Sequence, residues 1–310
     1  MVAYSQRTEK PIAVVFGYAA HPVIVPDKSK LISADFPGAA AKRIRDALGK
    51  DVVAMFGQGC AGNINGFPLC STHALAGKAG RELGDAALVA IQQSEPIEAE
   101  TIVVSSAQAA LPSHPLPNRE AWQSIMEESR DHPRRIQQLN RIKRLIDLDA
   151  VPPARRFDAM CISLGHDWCL VTMPHEMFCQ YELWIDQQAP FKWTMTFAYT
   201  NGYQGYVAVD QAWKLGEKGG YEAASLPNWG GQVWTEHMGP PAVGSEQIIK
   251  DTLQRLWPDV KSILPADDVP QPLSPQESQS RMRLPDDFPS RTSGTGGQRT
   301  DCAGSIVPGV

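Results

Sequence analysis

Short runs of β-branched and aromatic residues alternate along the chain with longer stretches whose apolar positions recur every three or four residues. The run Ile12 to Tyr18 (IAVVFGY) predicts a buried strand that feeds straight into Ala-Ala-His21-Pro22. Ser33-Ala-Asp35-Phe-Pro37 predicts a helix start, with a capping side chain and a proline near the first helical position. That helix carries Ala39 to Leu48 and stops at Gly49. Asp51 to Phe56 predicts a second buried strand, followed by the glycine-punctuated loop Gly57 to Gly66. A helix over Thr72 to Gln92 and a strand over Glu100 to Val104 come next. Strand and helix in strict alternation predict an α/β fold, a mixed sheet with flanking helices.

The second half reads less regularly. Asn118 to Asp149 predicts a charged helical segment interrupted at His132-Pro133. Within it Ile136, Leu139, Ile142, Leu145 and Ile146 share one face, and Arg134, Arg135, Arg141, Lys143 and Arg144 make a basic remainder. A solvated outer face is the plain reading of that remainder, and peripheral contact with an anionic membrane surface is the sharper one. Phe157 to Leu164 and Trp168 to Met173 predict two strands around the turn Gly165-His166-Asp167. Pro174-His175-Glu176 then opens a helix to about Gln187, Trp193 to Thr200 predicts another strand, and Ser245 to Leu256 a last amphipathic helix. From Pro258 onward eight prolines and little periodicity predict an extended wrap followed by disorder. The domain expectation is therefore residues 1–257, with a tail over 258–310.

Composition narrows the function classes. Of 310 residues 43% are hydrophobic and 20% charged, enough apolar material for a substantial core. The formal charge of -5 argues against a dedicated nucleic-acid binder. Mean hydropathy is -0.27, and no run approaches the ~20 apolar residues of a membrane-spanning helix. Met1 is followed by polar sequence without a hydrophobic segment of the signal-peptide kind, which leaves the compartment open. The six cysteines form no CxxC pair, so neither a disulfide scaffold nor a cysteine-rich zinc site is expected.

Three strand ends carry ligand-type residues: His21, Glu176, and Tyr203 or Tyr206. In α/β sheets that edge is where sites gather. A histidine and a carboxylate converging there can hold a divalent metal, and tyrosinate is a rarer third donor. Each residue also has an ordinary role: a hydrogen-bonded histidine, a carboxylate capping the next helix, tyrosines in packing. Gly59-Cys60-Ala61-Gly62 is a poor nucleophile elbow, because Gln58 stands where that motif needs glycine. No Gly-Lys-Ser/Thr follows, so it is not a phosphate loop either.

Taken in order, His21-Pro22, Ser33-Ala34-Asp35, Phe56-Gly-Gln58-Gly-Cys-Ala-Gly62-Asn63-Ile-Asn65, Leu164-Gly165, Met173-Pro174-His175-Glu176, Thr200-Asn201-Gly-Tyr203-Gln-Gly-Tyr206 and Gly220-Tyr221-Glu222-Ala-Ala-Ser225 closely resemble the neutral/alkaline (non-lysosomal) ceramidase family. The likeness spans about Ile12 to Leu256. It implies part of a ceramidase-type catalytic domain that cleaves the amide of N-acylsphingosine or a related lipid-like N-acyl amide with Zn2+. It implies His21, Glu176 and Tyr206 as metal ligands, Tyr221 as oxyanion donor, and Gln58, Asp35 and Tyr203 as substrate-facing. Three departures accompany it. His175 stands where the family has glycine. Asn65-Gly66 replaces a serine and proline, so attack by zinc-activated water survives while a serine ester does not. The family's first zinc histidine lies upstream of the Ile12 strand. A shortened member is expected, with the Ile12 to Tyr18 edge unpaired or its apolar face uncovered. The alternatives are a catalytically inactive, truncated ceramidase-like protein and a thiol hydrolase using Cys60.

Overall fold

A computed structural model describes residues 1–97, 101–115, 118–149, 153–220, 222–223 and 241–257. Three strands form the first sheet in the order β1-β2-β3: β1 (Val2–Tyr4), β2 (Pro11–Tyr18) and β3 (Val53–Gln58). β2 pairs antiparallel with β1 and parallel with β3, Val14 facing Ala54 and Phe16 facing Phe56. The parallel crossover is α1 (Asp35–Leu48), and α2 (His73–Gln92) packs beside it. Val14, Phe16, Ala40, Ile44 and Val52 make the core between sheet and helices, joined by Leu83, Ala87 and Ile91 of α2. The expected unpaired edge at β2 is overturned, because β1, unread in the sequence, occupies it. The other face of this sheet does stand open at Val53 and Met55.

The second sheet has the order β4-β5-β6-β8: β4 (Ile102–Pro112), β5 (Ala154–Leu164), β6 (Trp168–Thr172) and β8 (Trp193–Phe197). β4 and β5 pair over eleven residues, from Ile102 opposite Leu164 to Pro112 opposite Ala154. Between them the chain makes an excursion through α3 (Arg119–Glu128) and α4 (Pro133–Asp147), with Trp122, Ile125 and Leu139 buried. Its ends meet where the Ser113 N–H donates to the Pro153 carbonyl (2.9 Å). One face of this sheet packs on α5 (Cys179–Gln188) and α7 (Ser245–Gln254) through Phe157, Val171, Tyr181, Ile185, Ile249 and Leu253. On the other, Ile102 and Val104 are exposed.

The first two sheets meet where β2 and β3 approach β8. The Ala198 N–H donates to the Gln58 carbonyl (2.9 Å), and the Phe197 ring lies on Gly17 and Gly57. A Cβ at Gly57 would fall 2.0 Å from that ring, so only glycine lets β3 and β8 approach this closely. Past this seam the chain builds β7 (Glu176–Met177) and β9 (Tyr206–Val207), a two-stranded parallel ribbon, then the short α6 (Asp210–Lys214). The α/β class is as the sequence predicts, although the strands divide among three sheets. Residues 258–310, the expected tail, lie outside the described residues.

Candidate functional site

His21 and Glu176 come together at the seam. His21 leaves β2 and is fixed by its own backbone: its N–H donates to Ile64 O (2.9 Å), and its carbonyl accepts from the Gly66 N–H (3.0 Å). That is a one-residue parallel bridge to Asn65. The Gln58 side-chain amide donates to Tyr18 O and Ala20 O, both at 3.1 Å, and steadies the turn into His21. Glu176 sits in β7 with Tyr206 as its register partner, so both side chains leave the same face of the ribbon. Glu176 does not cap α5, whose N-cap is Phe178 without a capping side chain.

The His21 Nε2 atom is buried and lies 2.9 Å from Glu176 Oε1. The second carboxylate oxygen accepts from the Tyr203 hydroxyl (3.0 Å). Tyr199 completes the group, stacked on Tyr203 (centroids 6.2 Å, 15°) and edge-on to His21 (6.3 Å, 69°). Its phenol is pushed above the ordinary range, by burial first and then by the Glu176 carboxylate. Sequence reading missed Tyr199; its signal was its place in the same Tyr-Thr-Asn-Gly-Tyr run that supplies Tyr203. Non-glycine residues with positive φ gather here, namely His175 (68°), Tyr199 (58°) and Asn201 (59°). Such conformations cost of order 1 kcal/mol or more each and persist where surrounding bonds over-determine them. Here the His175 N–H donates to Gly202 O (2.8 Å) and the Tyr199 N–H to His175 O (3.0 Å).

The loop after β3 locks the two halves together. The Gly62 N–H donates to Met177 O (2.8 Å), and a Cβ there would meet Glu176 O at 2.7 Å. Asn63 donates through its amide to Gln180 (3.1 Å) and accepts from the Cys179 N–H (2.8 Å). The Cys60 N–H donates to Glu182 Oε2 (2.7 Å), and burial pushes that carboxyl up to about 7. Cys60 is fully buried, its thiol raised well above the usual range by burial and then by Glu182, which is the opposite of an activated nucleophile. On the far side of Glu176, His175 donates from Nε2 to the Arg156 carbonyl (2.8 Å) and is pushed down to about 4, by burial and then by the Arg155 guanidinium. Arg155, fully buried, donates to the Tyr206 carbonyl (3.0 Å).

Other predicted positions fall elsewhere. Asn65 pairs with His21 through backbone, but it is exposed, and among the described residues its side chain makes no hydrogen bond; Asn63 is the amide that ties the loop. Both Asp35 oxygens accept from backbone, Val25 N–H at 2.7 Å and Phe36 N–H at 2.6 Å, so the carboxylate fastens the loop after His21 to α1. Gln58 likewise serves backbone. Tyr221 lies outside the described residues.

Two donors on one tetrahedral zinc at ~2.1 Å stand about 3.4 Å apart. His21 Nε2 and Glu176 Oε1, at 2.9 Å, need to open only slightly to fit two corners of such a site. Among the described residues no third His, Cys, Asp or Glu joins them. No family model and no curated protein matches the sequence. The fold, however, matches solved structures. The neutral ceramidase from Pseudomonas aeruginosa superposes on 87% of this chain and 47% of its own length, with TM-score 0.51 and 14% identity. A ceramidase complexed with C2 matches over 87% of this chain and 49% of its own, with TM-score 0.52 and 13% identity. The chain thus spans about half the length of the structures it matches, and over that span its fold is ceramidase-like.

Proposed function

We propose that this chain is an amide hydrolase of neutral-ceramidase type, acting on N-acylsphingosine or a related lipid-like N-acyl amide. The observation that carries the reading is the His21–Glu176 contact of 2.9 Å at the strand ends of a ceramidase-like fold. In this reading His21, Glu176 and Tyr206 hold the metal. Zinc, when bound there, supplies an activated water and polarises the amide carbonyl. Tyr203 holds the second oxygen of Glu176, leaving Oε1 to face His21. Asn65, exposed beside His21, has no hydroxyl with which to attack, so water is the nucleophile. Tyr221, by its resemblance to the family motif, donates to the oxyanion.

The rival is a folded, metal-free relative without turnover, and the absence of a third acidic, histidine or cysteine donor among the described residues favours it. Zinc titration of the purified chain with metal analysis separates the two. The hydrolase reading expects one zinc per chain, lost in His21→Ala, with slow release of fatty acid from N-acylsphingosine. Turnover should be weak, since a metal held by an incomplete ligand set is poorly oriented, and positioning errors of ~1 Å cost on the order of 100-fold in rate. Unchanged stoichiometry in His21→Ala would remove the assignment, and no zinc uptake at all would establish the rival. A covalent acyl adduct on any residue would contradict attack by water.

A further inference from the structure

The three most exposed large apolar side chains among the described residues are Ile32 (106%), Phe67 (85%) and Leu31 (71%). All lie on the two loops that leave the site, one running from His21 to α1 and the other from Asn65 to α2. These loops are laced together: Cys70 N–H donates to Val23 O (2.9 Å), Ser71 N–H to Ile24 O (2.6 Å), and Ser29 Oγ meets His73 Nε2 (3.0 Å). The Leu31–Ile32 tip is therefore held out by a built framework. The Leu31 N–H is itself turned back onto Ser29 Oγ (3.2 Å), and Asp35 fastens the loop at Val25. Two adjacent aliphatic side chains in full contact with water contribute nothing to the core.

Charge surrounds this tip. Lys28 and Lys30 precede it and are exposed. Directly after it, Ser33, Ala34 and Asp35 begin an open groove of about 740 Å³ along the outer face of α1, lined further by Lys42, Arg45, Asp46 and Lys50. Asp46 is held by Lys42, and both Asp35 oxygens are taken by backbone. Residues 26–51 hold six cations and four acids, Asp27, Asp35, Asp46 and Asp51, in a chain of formal charge -5; Lys42 and Arg43 pair with Asp46 and Asp85, and Lys28, Lys30, Arg45 and Lys50 are the cations of the tip and groove. An aliphatic tip between lysines and a cationic groove is the pattern of an interfacial anchor on an anionic bilayer.

We propose that the 26–33 loop and the outer face of α1 form a docking surface for an anionic lipid bilayer. Leu31 and Ile32 enter the headgroup–acyl boundary, and Lys28, Lys30, Arg45 and Lys50 face lipid phosphate. The site that begins at His21 is thereby brought to the membrane surface. This surface stands independently of the zinc reading, because it is tested without turnover. It is also distinct from the basic remainder of α4.

Vesicle co-sedimentation of the full chain provides the test, with phosphatidylcholine alone against phosphatidylcholine carrying phosphatidylserine, at low and high salt. Binding is expected only to the anionic vesicles and should weaken with salt. Leu31→Ser with Ile32→Ser should lower it by about 10-fold or more. Lys28→Ala with Lys30→Ala should lower it by about fivefold per cation and flatten the salt dependence. Unchanged thermal melts will show that the fold is intact, since these side chains are exposed. The proposal is overturned if the wild-type chain stays in solution, or if the Leu31/Ile32 variant binds as wild type. It is overturned as well if binding is lost only in Lys143→Ala with Arg144→Ala. Displacement by inorganic phosphate with no effect of the Leu31/Ile32 change would show a simple anion site instead.

Discussion

The two arms that bring His21 and Glu176 together are built by different means. The His21 arm, from the first sheet, is fixed by backbone bonds and by the Gln58 amide; its one buried acid, Asp35, caps backbone further along the loop. The Glu176 arm, from the second sheet, carries ionisable groups withdrawn from water: Arg155 and His175, both buried, and Glu182, partly buried on α5. Hydrogen-bonded backbone is indifferent to pH in the neutral range, whereas buried titratable groups are not. His175 and Glu182, both displaced from their ordinary ranges, stand in the Glu176 arm and make its stability depend on pH.

The harshest way to break this arrangement is at the point where the arms touch. In Gly62→Ala the new methyl meets the Glu176 and Met177 carbonyls, at 2.7 and 2.9 Å, and backbone gives way less readily than a side chain. A loss of about 3 kcal/mol is expected in urea unfolding, the upper range for overpacking. A loss below ~1 kcal/mol would mean that the loop is free to lift away from β7.

Titration sharpens the contrast within the second arm. His175, held down to about 4, contributes stability above its unfolded value of 6.5 that is lost as pH falls through 4. Glu182, raised to about 7, contributes stability below its unfolded value of 4.5 that is lost as pH rises through 7. Each contribution amounts to about 3 kcal/mol, since a tenfold change in proton affinity corresponds to ~1.4 kcal/mol. Between pH 4.5 and 6.5 the two slopes oppose each other and nearly cancel. The groups facing them, Arg155 and Asp158 around His175, and Cys60, Cys179 and Asp186 around Glu182, do not reverse either sign. Relative to pH 6.5, Glu182→Gln should therefore become less stable in acid than wild type, and His175→Gln more stable. Urea midpoints at pH 4.5, 5.5 and 6.5 decide this. Parallel curves for both variants and wild type would defeat it.

The mildest effect is expected in the first arm. Gln58→Ala removes two neutral hydrogen bonds to backbone and should cost about 1 kcal/mol, equally at every pH in that series. A pH-dependent cost would show that the His21 arm is also electrostatically tuned.

Much of this architecture was legible in the sequence, because its signals are local. The β-branched runs match β2 and β6 to within one residue and the end of β5, which begins three residues earlier than expected, and His132-Pro133 marks the break between α3 and α4. His21 and Glu176 were legible as strand-end residues of ligand type. Their meeting, however, depends on the close approach that Gly57 and Gly62 permit across the seam, which no periodicity encodes. Glu182 carries no local signal, since its partner, Cys60, lies 122 residues away. Asp35 and Gln58 are substrate-facing only by the family resemblance, and the backbone partners they have here are set by the turns after β2 and β3, which no periodicity encodes. Tyr199 went unnoticed because its φ of 58° turns it toward Glu176, against the alternation expected after a strand.

The excursion between β4 and β5 has a consequence for how the protein can change. It leaves and rejoins the sheet at one point, Ser113 against Pro153, beyond the last pair of an eleven-residue ladder. Altering the length of a segment whose ends are already joined costs little, about 0.6 kcal/mol per doubling. The α3–α4 unit can thus be resized or rebuilt while the register of β4 on β5 stays fixed. That makes it the natural place for this scaffold to acquire or shed an accessory module, provided that Arg155 and Arg156, just inside its base, keep their bonds to Tyr206 and His175.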